Sequence, residues 1–213
     1  MVIDMDKKFS RIRNIILPNK KINYTILGVL LIGIISGSIF LTVLNETDKM
    51  AVTTQIQTFF QNINSSTIDS GLALKNSIIT NTVYVALIFI LGISVIGILI
   101  NIFLVYLKGF LVGFSVSAII SIYGFKGILA AFIYVFPHQI LNAFAIIILA
   151  IYSVMFTSKM IKFILSEKNN NMKHVLKKYT IIFGITLSIS LISSVSEAYI
   201  LPAFMKLIIK LFI

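Results

Sequence analysis

The sequence predicts an all-α integral membrane protein with about five transmembrane helices, and three features support this fold class. Apolar residues make up 58% of the 213 residues and charged residues only 12%, whereas soluble domains are about 45–50% apolar and about 25% charged. Five stretches approach the roughly 20 apolar residues that a helix needs to cross a bilayer. Most Lys and Arg residues lie between these stretches, where they act as signals of topology.

The five apolar stretches are predicted to form spans over residues 24–44, 81–106, 109–124, 128–156 and 179–204. The third is short, and needs a neighbouring residue or a locally thinner bilayer to complete its crossing. A signal peptide is the alternative for the first stretch, but the apolar run continues to Leu44 and is long enough to span. We therefore predict a single polytopic membrane domain over residues 1–213.

The distribution of basic residues predicts a cytoplasmic N-terminus and an external C-terminus. In this orientation thirteen Lys and Arg residues lie in cytoplasmic segments, one of them Lys108 between the second and third spans, and five lie outside. Residues 1–23 then form a basic cytoplasmic N-terminus, and residues 157–178 form a cytoplasmic loop against anionic lipid headgroups. Topology thus accounts for the net charge of +11, and nucleic acid is not an expected partner.

Two external segments are predicted. Residues 45–80 form an external loop whose apolar residues recur at helical spacing, which indicates an amphipathic helix on the membrane or against the bundle. These residues are Val52, Ile56, Phe59, Phe60 and Ile63. Residues 203–213 are too few to span, and they form an interfacial tail in which Lys206 and Lys210 lie one helical turn apart.

Small residues form two stripes at helical spacing. One contains Gly33 and Gly37; the other contains four residues at successive i+4 positions, namely Gly109, Gly113, Ser117 and Ser121. Such stripes allow two helix backbones to approach closely inside a membrane. They are therefore candidates for helix packing within the chain or for binding the helix of a partner.

The predicted fourth span contains an unusual polar cluster, formed by Pro137, His138, Gln139 and Asn142. Proline has no N–H to donate and clashes with the preceding turn, so the helix is predicted to kink or break at Pro137. The neighbouring polar side chains are placed to satisfy the freed backbone groups.

Two interpretations of this cluster remain open. Hydrogen bonding between helices is favoured, and a substrate or proton pathway of a small transporter or channel is the alternative. A transporter normally adds internal repeats, several broken helices and paired acidic residues. Here no inverted repeat is evident, and Glu197 is the only acidic residue inside a predicted span.

Signals for catalysis are weak. Gly113, Phe114 and Ser115, with His138 on the next span, are similar to the glycine-x-serine and histidine of intramembrane serine proteases. No second glycine follows, however, and no oxyanion-hole signature accompanies the pair. The chain contains no cysteine, two histidines and no HExxH pattern, which argues against thiolate chemistry and zinc hydrolysis. We predict a non-enzymatic protein without a metal ion or other cofactor.

Four blocks of the sequence resemble the stage II sporulation protein M family of spore-forming Firmicutes. Residues 81–117 are the most specific block, and together the four cover nearly all of residues 24–205. The other three are GIISGSIF at the end of the first span, the proline-centred FPHQILNAFAI, and the terminal SEAYILPAF. The richness in Ile, Asn and Lys is similar to that of clostridial proteins.

The resemblance implies a protein of the mother-cell membrane that is needed for engulfment of the forespore. The family member is then a scaffold that anchors and localises two peptidoglycan-degrading partners, stage II sporulation proteins D and P, at the septum. Relatives in the wider superfamily often carry an acidic residue where Asn142 stands here, and this departure argues against carrying over a proton-linked role from them. Homo-oligomerisation stays open.

Overall fold

The computed structural model describes residues 19–65, 69–135, 138–166 and 172–212, and the regular structure within them is entirely helical. Seven α-helices follow in order: α1 (Lys20–Val43), α2 (Glu46–Asn64), α3 (Ser70–Leu91), α4 (Gly97–Val135), α5 (Gln139–Ser166), α6 (Met172–Val195) and α7 (Leu201–Phe212). A π-helical turn, Ser196–Ile200, joins α6 to α7. Five stretches are long and apolar enough to cross a membrane, which confirms the predicted class and number of spans.

The boundaries of the second and third spans differ from those predicted. The stretch over 81–106 is divided by a turn, because α3 ends at Leu91 and α4 begins at Gly97. The turn is so tight that a Cβ added to Gly97 would lie 1.7 Å from the Leu91 carbonyl oxygen. Hydropathy could not reveal it, since the turn sequence GISVI is itself apolar. The second span therefore begins at Ser70, within the segment predicted as an external loop.

Side chains from three other helices stabilise this turn. The last four carbonyls of a helix have no N–H donor within it. Here N–H groups of the turn itself bind the carbonyls of Ile88, Ile90 and Leu91, and side chains supply further donors. Asn101 donates its side-chain N–H to the Ile88 carbonyl at 3.0 Å, and the Tyr179 hydroxyl donates to the Phe89 carbonyl at 3.0 Å. The Thr157 hydroxyl donates to the Gly92 carbonyl at 2.5 Å.

Lys108 does not lie in a cytoplasmic loop, and that prediction is wrong. It lies eleven residues after the start of α4, about 16 Å along a helix, which is roughly half the thickness of a bilayer core. The shifted turn is the cause, because α4 begins at Gly97 and continues through the predicted loop. Lys108, which the hydropathy pattern placed between the second and third spans, therefore lies inside the bundle.

The fourth helix folds back on itself at Gly124. This residue has φ +57° and ψ −133°, a conformation that is accessible essentially only to glycine. Beyond it, a Cβ on Gly127 would lie 2.7 Å from the Ile119 carbonyl oxygen, and Ala130 and Ala131 are buried in one cluster with Ile119. The segment after Gly124 therefore returns into the bundle and does not continue away from it.

The amphipathic helix predicted within residues 45–80 corresponds to α2. Its Phe60 and Ile63 are buried in the same cluster, together with Leu201 and Met205 of α7. The helix thus covers one end of the bundle with its apolar face. A larger cluster at the bundle centre is built around α5, whose residues Ile146, Leu149 and Ile151 are fully buried.

The two glycine stripes pack against each other where α1 crosses α4. Gly33 and Gly37 of α1 face Gly109 and Gly113 of α4, and a Cβ added to any of the four would lie 2.0–2.3 Å from a carbonyl oxygen of the facing helix. The Ser38 hydroxyl also donates across the crossing, to the Gly113 carbonyl at 3.1 Å. Small residues are therefore required here for backbone contact inside the chain.

The two serines at the far end of the α4 stripe have a different role. Ser117 donates its hydroxyl to the Phe114 carbonyl, and Ser121 donates to the Ala118 carbonyl, both within α4. Neither serine forms a hydrogen bond to α1 in the described structure. The stripe of close packing consequently ends near Gly113.

Replacing Gly113 by alanine is expected to destabilise the protein, because the new Cβ would lie 2.0 Å from the Ile34 carbonyl oxygen. Overpacking of this kind costs about 1–3 kcal/mol, measured as thermal unfolding of the detergent-purified protein by circular dichroism. Gly28→Ala in α1 is the matched control, since its Cβ would meet nothing within 4 Å. Equal stability of the two variants would refute the close crossing.

Candidate functional site

The helix break predicted at Pro137 lies between α4, which ends at Val135, and α5, which begins at Gln139. Phe136 and Pro137 themselves lie outside the described residues. His138 forms the turn before α5, and its carbonyl accepts hydrogen bonds from the Asn142 N–H at 3.0 Å and from the Ser193 hydroxyl at 2.7 Å. A serine of α6 therefore helps to satisfy the broken backbone, a role predicted for the cluster's own side chains.

The side chain of Asn142 instead joins three helices. It donates to the Asn81 side-chain oxygen at 2.5 Å and accepts from the Ser190 hydroxyl at 3.4 Å. Asn81 in turn donates to the hydroxyls of Ser77 at 3.1 Å and Ser194 at 2.9 Å. Asn81 and Ser194 were not singled out from the sequence, because an isolated asparagine or serine in an apolar stretch gives no local signal of its partner.

Gln139 binds the lysine that the sequence had placed in a loop. The Lys108 ammonium donates to the Gln139 side-chain oxygen at 2.8 Å. Lysine within a span is rare, and it usually faces the bundle interior or an aqueous cavity. Lys108 fits this pattern, since it is half-buried between α4 and α5 and lines a cavity.

Glu197 lies in the π-helical turn after α6. Here the Leu201 N–H donates to the Ser196 carbonyl, and Pro202, which has no N–H to donate, follows directly. Such wide turns change the direction of side chains and occur often at functional sites. Glu197 accepts a hydrogen bond from the Ser77 hydroxyl at 2.5 Å, and it forms no ion pair with a lysine among the described residues.

His138 is the least satisfied polar side chain of the site. It is 3% exposed, its ring packs edge-on against Tyr134 with centroids 5.5 Å apart, and neither ring nitrogen has a hydrogen-bond partner within the described part of the chain. Buried polar atoms are nearly always hydrogen-bonded in native structures. The ring therefore offers two unused hydrogen-bonding positions.

These residues surround one cavity of about 390 Å³. Its polar lining includes Asn81, Lys108, His138, Gln139, Asn142 and Glu197. Phe59 of α2 and Leu201 of α7 add apolar lining. The break before α5 and the π-helical turn after α6 therefore both border this polar cavity.

The serine and histidine of the protease interpretation are not brought together. Ser115 lines a separate cavity of about 200 Å³, beside Phe60 and Ile119, whereas His138 lines the polar cavity. No hydrogen bond joins them in the part of the chain that the structure describes. That same part contains no group of three or more His, Asp or Glu residues that could hold a metal ion.

Replacing Asn81 by leucine is expected to destabilise the bundle by about 2 kcal/mol, since it removes three side-chain hydrogen bonds of about 0.6 kcal/mol each. Thermal unfolding of the purified protein measures this loss. Asn76→Leu is the control, because Asn76 lies on the same helix but is exposed. The network would have no structural role if both variants unfolded at the wild-type temperature.

Comparison with known protein families gives a match over most of the chain. A family model described as "Stage II sporulation protein M" matches residues 26–202. No curated protein and no solved structure gives a significant match. The matched region extends from α1 to the start of α7, and so includes every helix that lines the polar cavity. The chain therefore belongs to the stage II sporulation protein M family.

Proposed function

We propose that this protein is a non-enzymatic membrane scaffold of the sporulation engulfment complex, which anchors and localises peptidoglycan-degrading partners at the septum. The observation that carries the proposal is the family match over residues 26–202, which covers nearly the whole membrane domain. Stage II sporulation proteins D and P are the proposed partners. The mother-cell membrane is the proposed location.

The packing of the glycine stripes bears on where a partner can bind. Gly33, Gly37, Gly109 and Gly113 face one another, so none of them is free to receive the helix of another protein. The least buried spans are α3 and α1. We propose that the partners' membrane anchors pack against the lipid-facing side of these two helices, for example around Ile35 of α1 and Val83 of α3, which are 59% and 52% exposed.

The proposed orientation has the N-terminus in the cytoplasm and the C-terminus outside. Basic residues before α1 and over residues 157–178 support it. In this orientation α2 and the cavity-lining start of α3 lie toward the external face, where peptidoglycan is found. The exposed polar side of α2 would then be available to the external domains of the partners.

A small transporter or channel is the second candidate function, and the charged cavity between interrupted helices favours it. A solute pathway must also cross the rest of the bilayer. There the bundle is filled by buried apolar side chains, including Ile88, Val105 and Leu149. The scaffold is therefore the better supported function.

A photoreactive p-benzoylphenylalanine at Ile35 or Val83 is expected to crosslink to a stage II sporulation D or P protein in sporulating cells. The control position is Val85, which lies on the same helix as Val83 but is fully buried and should give no crosslink.

Deletion of the gene should block engulfment, and a gene copy that encodes the Ser115→Ala variant should restore engulfment fully. Normal engulfment in the deletion strain would overturn the scaffold proposal.

Reporter fusions test the orientation. Alkaline phosphatase, which is active only outside the cytoplasm, should be active when fused after residue 213 and inactive when fused after residue 170. A green fluorescent protein reporter should give the reverse pattern. An active phosphatase after residue 170 would contradict a cytoplasmic connection between α5 and α6.

A further inference from the structure

Two opposite charges line the polar cavity without pairing. Lys108 is bound by the neutral Gln139 side chain, and Glu197 by the neutral Ser77 hydroxyl. The two charged groups do not approach within 4.0 Å of each other. A charged side chain inside a membrane bundle is costly unless it is paired, and a direct ion pair would be the simplest structural use of these two residues. Because both residues line the same cavity, a third group bound there can contact each of them.

The unsatisfied ring of His138 gives an independent sign of a missing binding partner. The side chain is only 3% exposed and lines the cavity. Both of its ring nitrogens lack a hydrogen-bond partner in the described structure. A neutral histidine offers one donor and one acceptor. A ligand in the cavity with both kinds of group would satisfy it.

The start of α5 adds a site for negative charge. The first hydrogen bond of this turn joins the Asn142 N–H to the His138 carbonyl, so the amides that precede Asn142 in the helix have no intrahelical acceptor. These amides and the helix dipole favour an anionic group. The Lys108 ammonium donates to the side chain of Gln139, the first residue of α5, so this positive charge lies at the same end of the helix.

We propose that this cavity binds a small zwitterion, a molecule whose ammonium group and anionic group are separated by a few atoms. The ammonium group binds Glu197, the anionic group binds Lys108 and the start of α5, and His138 completes the hydrogen bonding. The volume of about 390 Å³ is near the lower end of the roughly 300–1,000 Å³ typical of ligand pockets. It fits a ligand of amino-acid size. This activity goes beyond the proposed scaffold role and does not depend on it.

Two sources offer this chemistry, a free amino acid and the headgroup of phosphatidylethanolamine. The full-length protein is placed in nanodiscs made of phosphatidylglycerol alone, and binding of tritiated glycine and alanine is measured at equilibrium. Saturable binding identifies a free amino acid. If neither binds, the same protein is titrated with phosphatidylethanolamine, and saturable binding of that lipid identifies the headgroup. Absence of binding in both experiments overturns the proposal.

Charge variants connect the binding to this cavity. Lys108→Met and Glu197→Gln are each expected to weaken binding at least about tenfold, as expected when one member of a buried charge contact is lost. The matched controls Lys173→Met and Glu46→Gln remove the same charges from exposed positions and should change affinity within about twofold. Equal binding by the cavity variants and the controls would refute the site.

Two further variants keep the test decisive if a single charge change prevents folding. The double variant Lys108→Met with Glu197→Gln leaves no uncompensated charge, and it should elute as a monodisperse protein that does not bind. Ala73→Leu enlarges a half-buried side chain of the cavity lining and changes neither charge. It should also weaken binding, and wild-type affinity in either variant would overturn the proposal.

Discussion

Inside a bilayer core no water is present to bind a free backbone N–H or C=O, and this constraint determines where the helices of this protein can be interrupted. At two interruptions in the described structure, side chains from other helices satisfy the freed backbone carbonyls. Thr157 binds the Gly92 carbonyl at the turn between α3 and α4, and Ser193 binds the His138 carbonyl at the break before α5. The bonds that satisfy the backbone are therefore also the bonds that hold the helices together.

The same constraint connects the polar cavity to the fold. Irregular backbone is tolerated at membrane depth where it is buried in protein or lines a polar cavity, and both the break before α5 and the π-helical turn border one cavity. The return of α4 after Gly124 brings the break to the level of Lys108. The glycine crossing of α1 and α4 consists of close backbone packing and the Ser38 hydrogen bond to the Gly113 carbonyl, whereas the unpartnered ring of His138 lies at the polar cavity.

The sequence predicted the features that have a strong local signal. Apolar length gave the number of spans, proline gave the break near residue 137, and glycine spacing gave the crossing surfaces. The turn at residues 92–96 has no polar residue except Ser94, so hydropathy missed it and misplaced Lys108. The partners Asn81 with Asn142 and Ser77 with Glu197 are far apart in sequence, and only the three-dimensional arrangement of α3, α5 and α6 could reveal them.

The central claim is that a polar, water-accessible space exists inside the bundle beside α3. Nitroxide labels at neighbouring positions test it directly in this cysteine-free chain, because Thr80 lines the cavity whereas Ile79 is an exposed apolar residue outside its lining. Electron paramagnetic resonance of the protein in lipid should show that a label at Thr80 collides mainly with a water-soluble nickel reagent. A label at Ile79 should collide mainly with oxygen dissolved in lipid. Oxygen-dominated collisions at both positions would contradict the account.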